Sequence, residues 1–176
     1  SDLPVLGVIV GAILTAAVQS STATIGILQE LYTTGYVPLI GAVAIVLGSN
    51  IGTTITAILS SAGGSTAAKR TAFIHVMFNV VGSILFLILI VPYAAFIGLM
   101  QDILLDGQPV AMTISLVHIF FNLFNTIVFY FLIKQMVAIS KKVIKGTELD
   151  VVVNVDSLQE SLIKDSPVLA LENAKR

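Results

Sequence analysis

The sequence predicts an all-α membrane protein, and three observations carry that reading. Of its 176 residues, 56% are hydrophobic and 11% charged, where a soluble domain averages about 25% charged. The mean hydropathy is +1.00. The apolar residues gather into stretches near the length of about 20 residues that a membrane-spanning helix needs. The net charge is -1, so it is the position of charge, rather than its total, that carries information. There is no cysteine, which excludes a disulfide framework, thiol chemistry and a cysteine-based metal site.

The first apolar stretch, Leu3 to Leu31, is interrupted by the polar run Gln19-Ser20-Ser21-Thr22, with Thr24 just after. It reads either as one long span or as two short arms, Pro4–Val18 and Thr24–Leu31. Neither arm is long enough to cross alone. The preferred reading is a re-entrant hairpin over residues 4–31 that enters and leaves on the outer side. Non-helical backbone at its tip is tolerated where it is buried in protein or lines a wet cavity. Tyr32 to Tyr36 and Pro38 then form a turn. Spans follow over 37–60, 71–91 and 110–133, separated by the turns Ser60–Ser65 and Asp102–Pro109. Trp is absent, so an interfacial belt rests on Tyr32, Tyr36, Tyr93 and Tyr130.

Charge position sets the expected orientation. Lys69 and Arg70 flank one end of the 71–91 span, and Lys134, Lys141, Lys142 and Lys145 follow the last one. Asp102 and Asp106 lie in the loop between these spans and read as a solvated outer loop. The positive-inside rule places the lysines and the C-terminal tail in the cytoplasm of a multi-pass protein of the cell membrane. Glu30, near the outer end of the second hairpin arm, reads as an interfacial carboxylate. Residues 146–176 turn mixed and charged, the expectation being a cytoplasmic extension. Ser166-Pro167 looks like an N-cap with proline at the first helical position. A helix starting there would continue past Arg176 into a further soluble helical domain.

The motif His75-Val-Met-Phe-Asn79 recurs as His118-Ile-Phe-Phe-Asn122. Histidine and asparagine four apart share one helix face. The recurrence fits one structural unit used twice, as in repeat-built transporters. Two readings stand: interhelical hydrogen bonds that hold the bundle, or side chains lining a polar site.

The run Gln19–Thr24 and the run Gly48-Ser49-Asn50-Ile51-Gly52-Thr53-Thr54 are the candidate binding elements. Glycine permits unwinding or close backbone approach, and Ser, Thr and Asn supply donors and acceptors without net charge. A half-helix N-terminus suits an anion; a half-helix C-terminus and unwound carbonyls suit Na+. No Lys or Arg lies in the core of any span. An anion held there must be neutralised by backbone dipoles, hydroxyls and co-bound cations, which makes cation coupling a physical expectation.

Gln19-Ser20-Ser21, Gly26-Ile-Leu-Gln29, the Gly48–Thr54 run, Ala68-Lys69-Arg70 and His75-x-x-Phe78-Asn79 together resemble the bacterial branch of the type II sodium/phosphate cotransporter family, across most of Pro4 to Asn122. The family pattern has a further serine where this chain has Thr22, which keeps the hydroxyl and adds a methyl. The resemblance implies sodium-coupled symport of inorganic phosphate, with Na+ as coupling ion and no other cofactor. It implies that the chain is one half of an inverted-repeat transporter, its second half by repeat order, so that another repeat or an identical chain completes the site. It assigns Gln19, Ser20, Ser21, Thr22, Asn50, Thr53 and Thr54 to substrate binding. Ser20, Ser21 and their N–H groups face phosphate, while Gln19, Thr22, Asn50 and Thr53 face Na+ or brace the loop. The tail resembles the start of a PhoU-like cytoplasmic domain. The expected partners are phosphate, Na+ and the lipid bilayer, with no nucleic acid. Two other classes compete: a non-transporting assembly or regulatory module, and an intramembrane serine hydrolase in which His75 or His118 activates Ser20 or Ser21.

Overall fold

The computed structural model describes residues 4–108 and 110–146. The tail reading, Ser166-Pro167 included, lies outside the described residues. Those described are helical throughout: α1 (Pro4–Val18), α2 (Ser21–Thr33), α3 (Leu39–Gly52), α4 (Thr54–Ser61), α5 (Thr66–Ile88), α6 (Ile90–Leu105), α7 (Ala111–Phe131) and α8 (Ile133–Val143). Three helical stretches, Leu39–Ser61, Thr66–Ile88 and Ala111–Phe131, are long and apolar enough to cross a membrane. The chain is an all-α membrane protein.

Helix α3 is the centre. Ala42, Val43, Ala44, Val46, Leu47, Gly48, Ser49, Asn50 and Gly52 are buried along it, as expected of a helix packed on every side. Its tightest neighbour is α1, which runs parallel to it. A methyl added at Gly11 would fall on the Ile45 carbonyl, and one added at Gly48 on the Val8 carbonyl. The two backbones are in contact, and the stripe Gly7-Gly11-Thr15 faces Ala44-Gly48-Gly52. Small residues four apart are the usual means of such close approach in membrane helices.

The Gly48–Thr54 run, expected as an unwound break, is only a one-residue interruption. Thr53 keeps helical dihedrals (φ -62, ψ -22), and its N–H still donates to the Ser49 carbonyl at 3.1 Å. The glycines serve close packing here, and the chain therefore stays wound. The second hairpin arm begins at Ser21 rather than Thr24, because Ser20 caps it: its Oγ accepts from the Ala23 N–H at 3.2 Å. Similarly, α5 begins at Thr66, capped by Ser65, which places Lys69 and Arg70 inside its first turns.

Helix α6 falls on residues that the sequence reading left between a span and a turn. Asp102 sits, exposed, in its last turns. Ile90, Tyr93, Ala94 and Ile97 form its buried face, at the i, i+3, i+4, i+7 spacing of one helix side. Phe86 of α5 packs edge-on against Tyr93 at 4.7 Å between ring centroids and tilted against Phe121 of α7 at 5.2 Å. The Tyr93 hydroxyl donates to the Val117 carbonyl at 2.6 Å. Beside the start of α5, the Arg70 guanidinium donates to the Ile144 and Gly146 carbonyls, each at 3.1 Å, tying the chain beyond α8 to α5.

Candidate functional site

The hairpin turns on two residues. Gln19 takes a left-handed conformation, φ +55, and its N–H closes α1 on the Thr15 carbonyl at 2.7 Å. Ser20 is extended (φ -144, ψ 106) and caps α2. The C-terminal carbonyls of α1 and the N-terminal N–H groups of α2 therefore emerge side by side at the tip, a partial negative charge beside a partial positive one. The Gln19, Ser21 and Thr22 side chains have no hydrogen-bond partner among the described residues, and Gln19 and Thr22 are exposed. The tip can donate hydrogen bonds to an oxyanion and offer oxygen lone pairs to a cation.

Behind the tip lies a buried hydroxyl chain. Thr15 Oγ1 sits 3.0 Å from Thr24 Oγ1 and 2.9 Å from Ser49 Oγ, and Thr24 Oγ1 sits 3.2 Å from the Ser20 carbonyl. Each hydroxyl has one proton. The carbonyl can only accept, which sets the direction of the chain: Ser49 donates to Thr15, Thr15 to Thr24, and Thr24 to Ser20. The three hydroxyl residues are 0–1% exposed. They fix the tip's carbonyl to α3.

The residue after Ser49 reaches the other way. Asn50 Oδ1 lies 3.0 Å from His118 Nε2 on α7. Asn50 is 3% exposed, and its Nδ2 has no partner. A buried donor left unsatisfied costs about 1–3 kcal/mol. The hydroxyls of Thr53, Thr54 and Thr56 turn back on their own helix, donating to the carbonyls of Asn50, Ile51 and Thr53 at 2.6, 2.7 and 2.9 Å. Of the sequence candidates, the structure groups Gln19, Ser20, Ser21 and Thr22 at one tip; the hydroxyl chain behind it ends at Ser49, whose neighbour Asn50 bonds His118 instead. Thr53 and Thr54 stand apart from that chain of bonds, their hydroxyl protons donated to their own helix and their lone pairs free.

The two His–Asn motifs share one local bond: Asn79 Nδ2 donates to the His75 carbonyl at 3.0 Å, and Asn122 Nδ2 to the His118 carbonyl at 2.8 Å. The interhelical bond comes from His118 alone of the two histidines; His75 is exposed. Thr15 and Asn125 were not site candidates from sequence, and Thr24 and Ser49 lay in the candidate runs without an assigned role. Asn125, 0% exposed, lies against Gly82 and donates to the Phe78 carbonyl at 3.1 Å. The signal for Thr15 was present: it continues the Gly7-Gly11 stripe at the same spacing of four. Neither Ser20 nor Ser21 hydrogen-bonds a histidine among the described residues, so the hydrolase reading finds no geometric support. No cluster of His, Asp or Glu among the described residues could hold a metal ion.

The Na+/Pi-cotransporter family profile matches residues 1–143. The chain belongs to the Na+/Pi-cotransporter family. Among its family relatives is the uncharacterized protein YqeW of Bacillus subtilis, 49% identical over 74 residues, 42% of this chain and 24% of the relative. Sodium-dependent phosphate transport protein 2A of Rattus norvegicus is 37% identical over 82 residues, 43% of this chain and 13% of its own length. YjbB of Salmonella typhimurium, provisionally named an inorganic phosphate export protein, is 28% identical over 172 residues, 97% of this chain and 30% of the relative. The chain thus spans less than a third of the length of each of these relatives. No solved structure matches it.

Proposed function

We propose that this chain supplies one hairpin of a sodium-coupled inorganic phosphate symporter. The observation that carries the reading is the tip at Gln19–Thr22, where two helix ends and unpartnered polar side chains meet, in a chain of this family. Phosphate is held by Ser20, Ser21 and the first N–H groups of α2. Na+ is held by Gln19 and Thr22 with carbonyls at the end of α1. Asn50 belongs to the same site, next to Ser49 in the chain. Thr53 and Thr54 remain second candidates: their hydroxyls donate to their own helix and keep lone pairs free for a cation. A second hairpin, from another repeat or another copy of the chain, completes the site, and the lysine-bearing end of the bundle faces the cytoplasm.

The test is phosphate uptake into proteoliposomes holding the whole transporter, with Na+ or with choline in its place. Uptake is expected only with Na+, and Gln19→Ala or Ser20→Ala is expected to abolish it. Undiminished uptake in choline would sink sodium coupling. A second reading, export, is favoured by the exporter-named relative that aligns along almost the whole chain. Efflux from phosphate-loaded vesicles under physiological gradients, with no uptake, would select it.

A further inference from the structure

Asn50 and His118 form the polar contact that joins α3 to α7, and they do so in a way that leaves half of one side chain unused. His118 Nε2 lies 3.0 Å from Asn50 Oδ1. With the imidazole donating, the amide is held by its oxygen, and Nδ2 takes no part in the bond to α7. That nitrogen is fully buried and has no acceptor. It sits one residue from Ser49, whose hydroxyl chain ends on the Ser20 carbonyl at the hairpin tip.

Buried polar groups are normally hydrogen-bonded, and among the described residues two buried side-chain atoms lack a partner: Asn50 Nδ2, a donor, and Asn125 Oδ1, an acceptor. An unpaired donor is chemically useful to an anion, which needs N–H groups where no Lys or Arg is at hand. We propose that His118 is a positioning residue for anion binding: by holding Asn50 through its oxygen, it offers Asn50 Nδ2 to the transported oxyanion. The inference rests on the phosphate-transport reading above. Nδ2 is sealed in this conformation, so the anion meets it in another state of the transport cycle, as alternating access requires.

The test uses the whole transporter, with phosphate KM measured at saturating Na+ and thermal stability measured in parallel. The double variant Asn50→Leu/His118→Leu removes both partners together. A purely structural pair replaced in this way is neutral or stabilising. The expected result is a Tm at or above that of the parent, with phosphate KM raised at least about ten-fold. Asn50→Asp keeps an oxygen for His118 but exchanges the unpaired donor for a carboxylate oxygen and adds a negative charge; it is expected to raise KM likewise, and an unchanged KM in it is the decisive result if the double variant does not fold. His118→Gln, whose amide N–H can replace the imidazole N–H, is expected to keep KM within about two-fold of the parent. The proposal is overturned by a parental KM in Asn50→Asp or in the folded double variant. It is also overturned by a shift in Na+ activation with phosphate KM unchanged, which would make Asn50 a cation ligand. Failure of His118→Gln to retain KM while folding normally would overturn the positioning role. If the parent carries no phosphate in either direction, the transport reading falls and this inference with it.

Discussion

Gln19 holds φ at +55, a conformation that costs a residue with a side chain about 1–2 kcal/mol relative to glycine. Gln19→Gly is therefore expected to raise Tm, since it relaxes the tip, and to lower sodium-dependent uptake, since it removes the amide. Unimpaired uptake would reduce Gln19 to a shape requirement. Ser20 separates the same two roles in another way. Ser20→Asp keeps a strong cap on α2 but sets a fixed negative charge where phosphate binds. Its Tm should stay within a degree or two of the parent, by the rough equivalence of serine and aspartate as caps, while phosphate binding disappears. Thr15→Val tests the hydroxyl chain. The methyls fit, but Ser49 loses its acceptor and Thr24 its donor, at an expected cost of about 1–3 kcal/mol, read as a fall in Tm that Thr15→Ser does not reproduce. The Gln19–Thr22 tip was legible in the sequence because polarity inside an apolar run is conspicuous. Thr15 was legible only as a small residue continuing the Gly7-Gly11 spacing; its hydroxyl role was not, because a single hydroxyl among alanines is ordinary in membrane sequence and only its partner at Ser49 gives it meaning.

Helix α1 meets α3 with no side chain between their backbones at Gly11 and Gly48. Gly48→Ala is expected to force the helices apart, at a cost of about 1–3 kcal/mol or more, read as a drop in detergent Tm. Gly26→Ala, where nothing lies within 4 Å of the added methyl, should be neutral or slightly stabilising. The contrast explains where sequence reasoning about the Gly48–Thr54 run went astray. Glycine is compatible with unwinding and with close approach, and the sequence alone weighs them equally. The parallel stripe on α1 decides for close approach, and pairing the two stripes required the fold. Helix α6 escaped notice for a related reason: at 16 residues it is too short to register as a span, and its apolar outer face hides the period of its buried one. The Asn79 and Asn122 bonds show the limit of repeat arguments, since similar motifs make the same local bond while, of the two histidines, His118 alone bonds across to another helix.

Across the whole molecule, the described Lys and Arg side chains cluster at Lys69–Arg70 and along α8, whereas the described Asp and Glu side chains are Glu30, Asp102 and Asp106. If the lysine-bearing end is cytoplasmic, a cysteine placed at Thr34 should react with an impermeant thiol reagent added outside, and one placed at Gly63 should not; the reverse pattern would invert the topology. The chain's lack of cysteine makes the introduced thiols the ones read in this segment. Overall class and family were legible from composition and from the two polar runs, because lipid penalises every unneeded hydroxyl. The polar seam that binds α2, α1, α3 and α7 into one unit was not, because it exists only between helices. The absence of charged side chains from the core of the spans has a further consequence, for electrical measurement. A side chain with no net charge contributes almost nothing when it moves through the membrane field, whereas each elementary charge that crosses is worth about 2.3 kcal/mol per 100 mV. Current through a transporter with such a core comes from its ions alone, so the reversal potential, set against the phosphate and Na+ gradients, counts the cations carried with each phosphate.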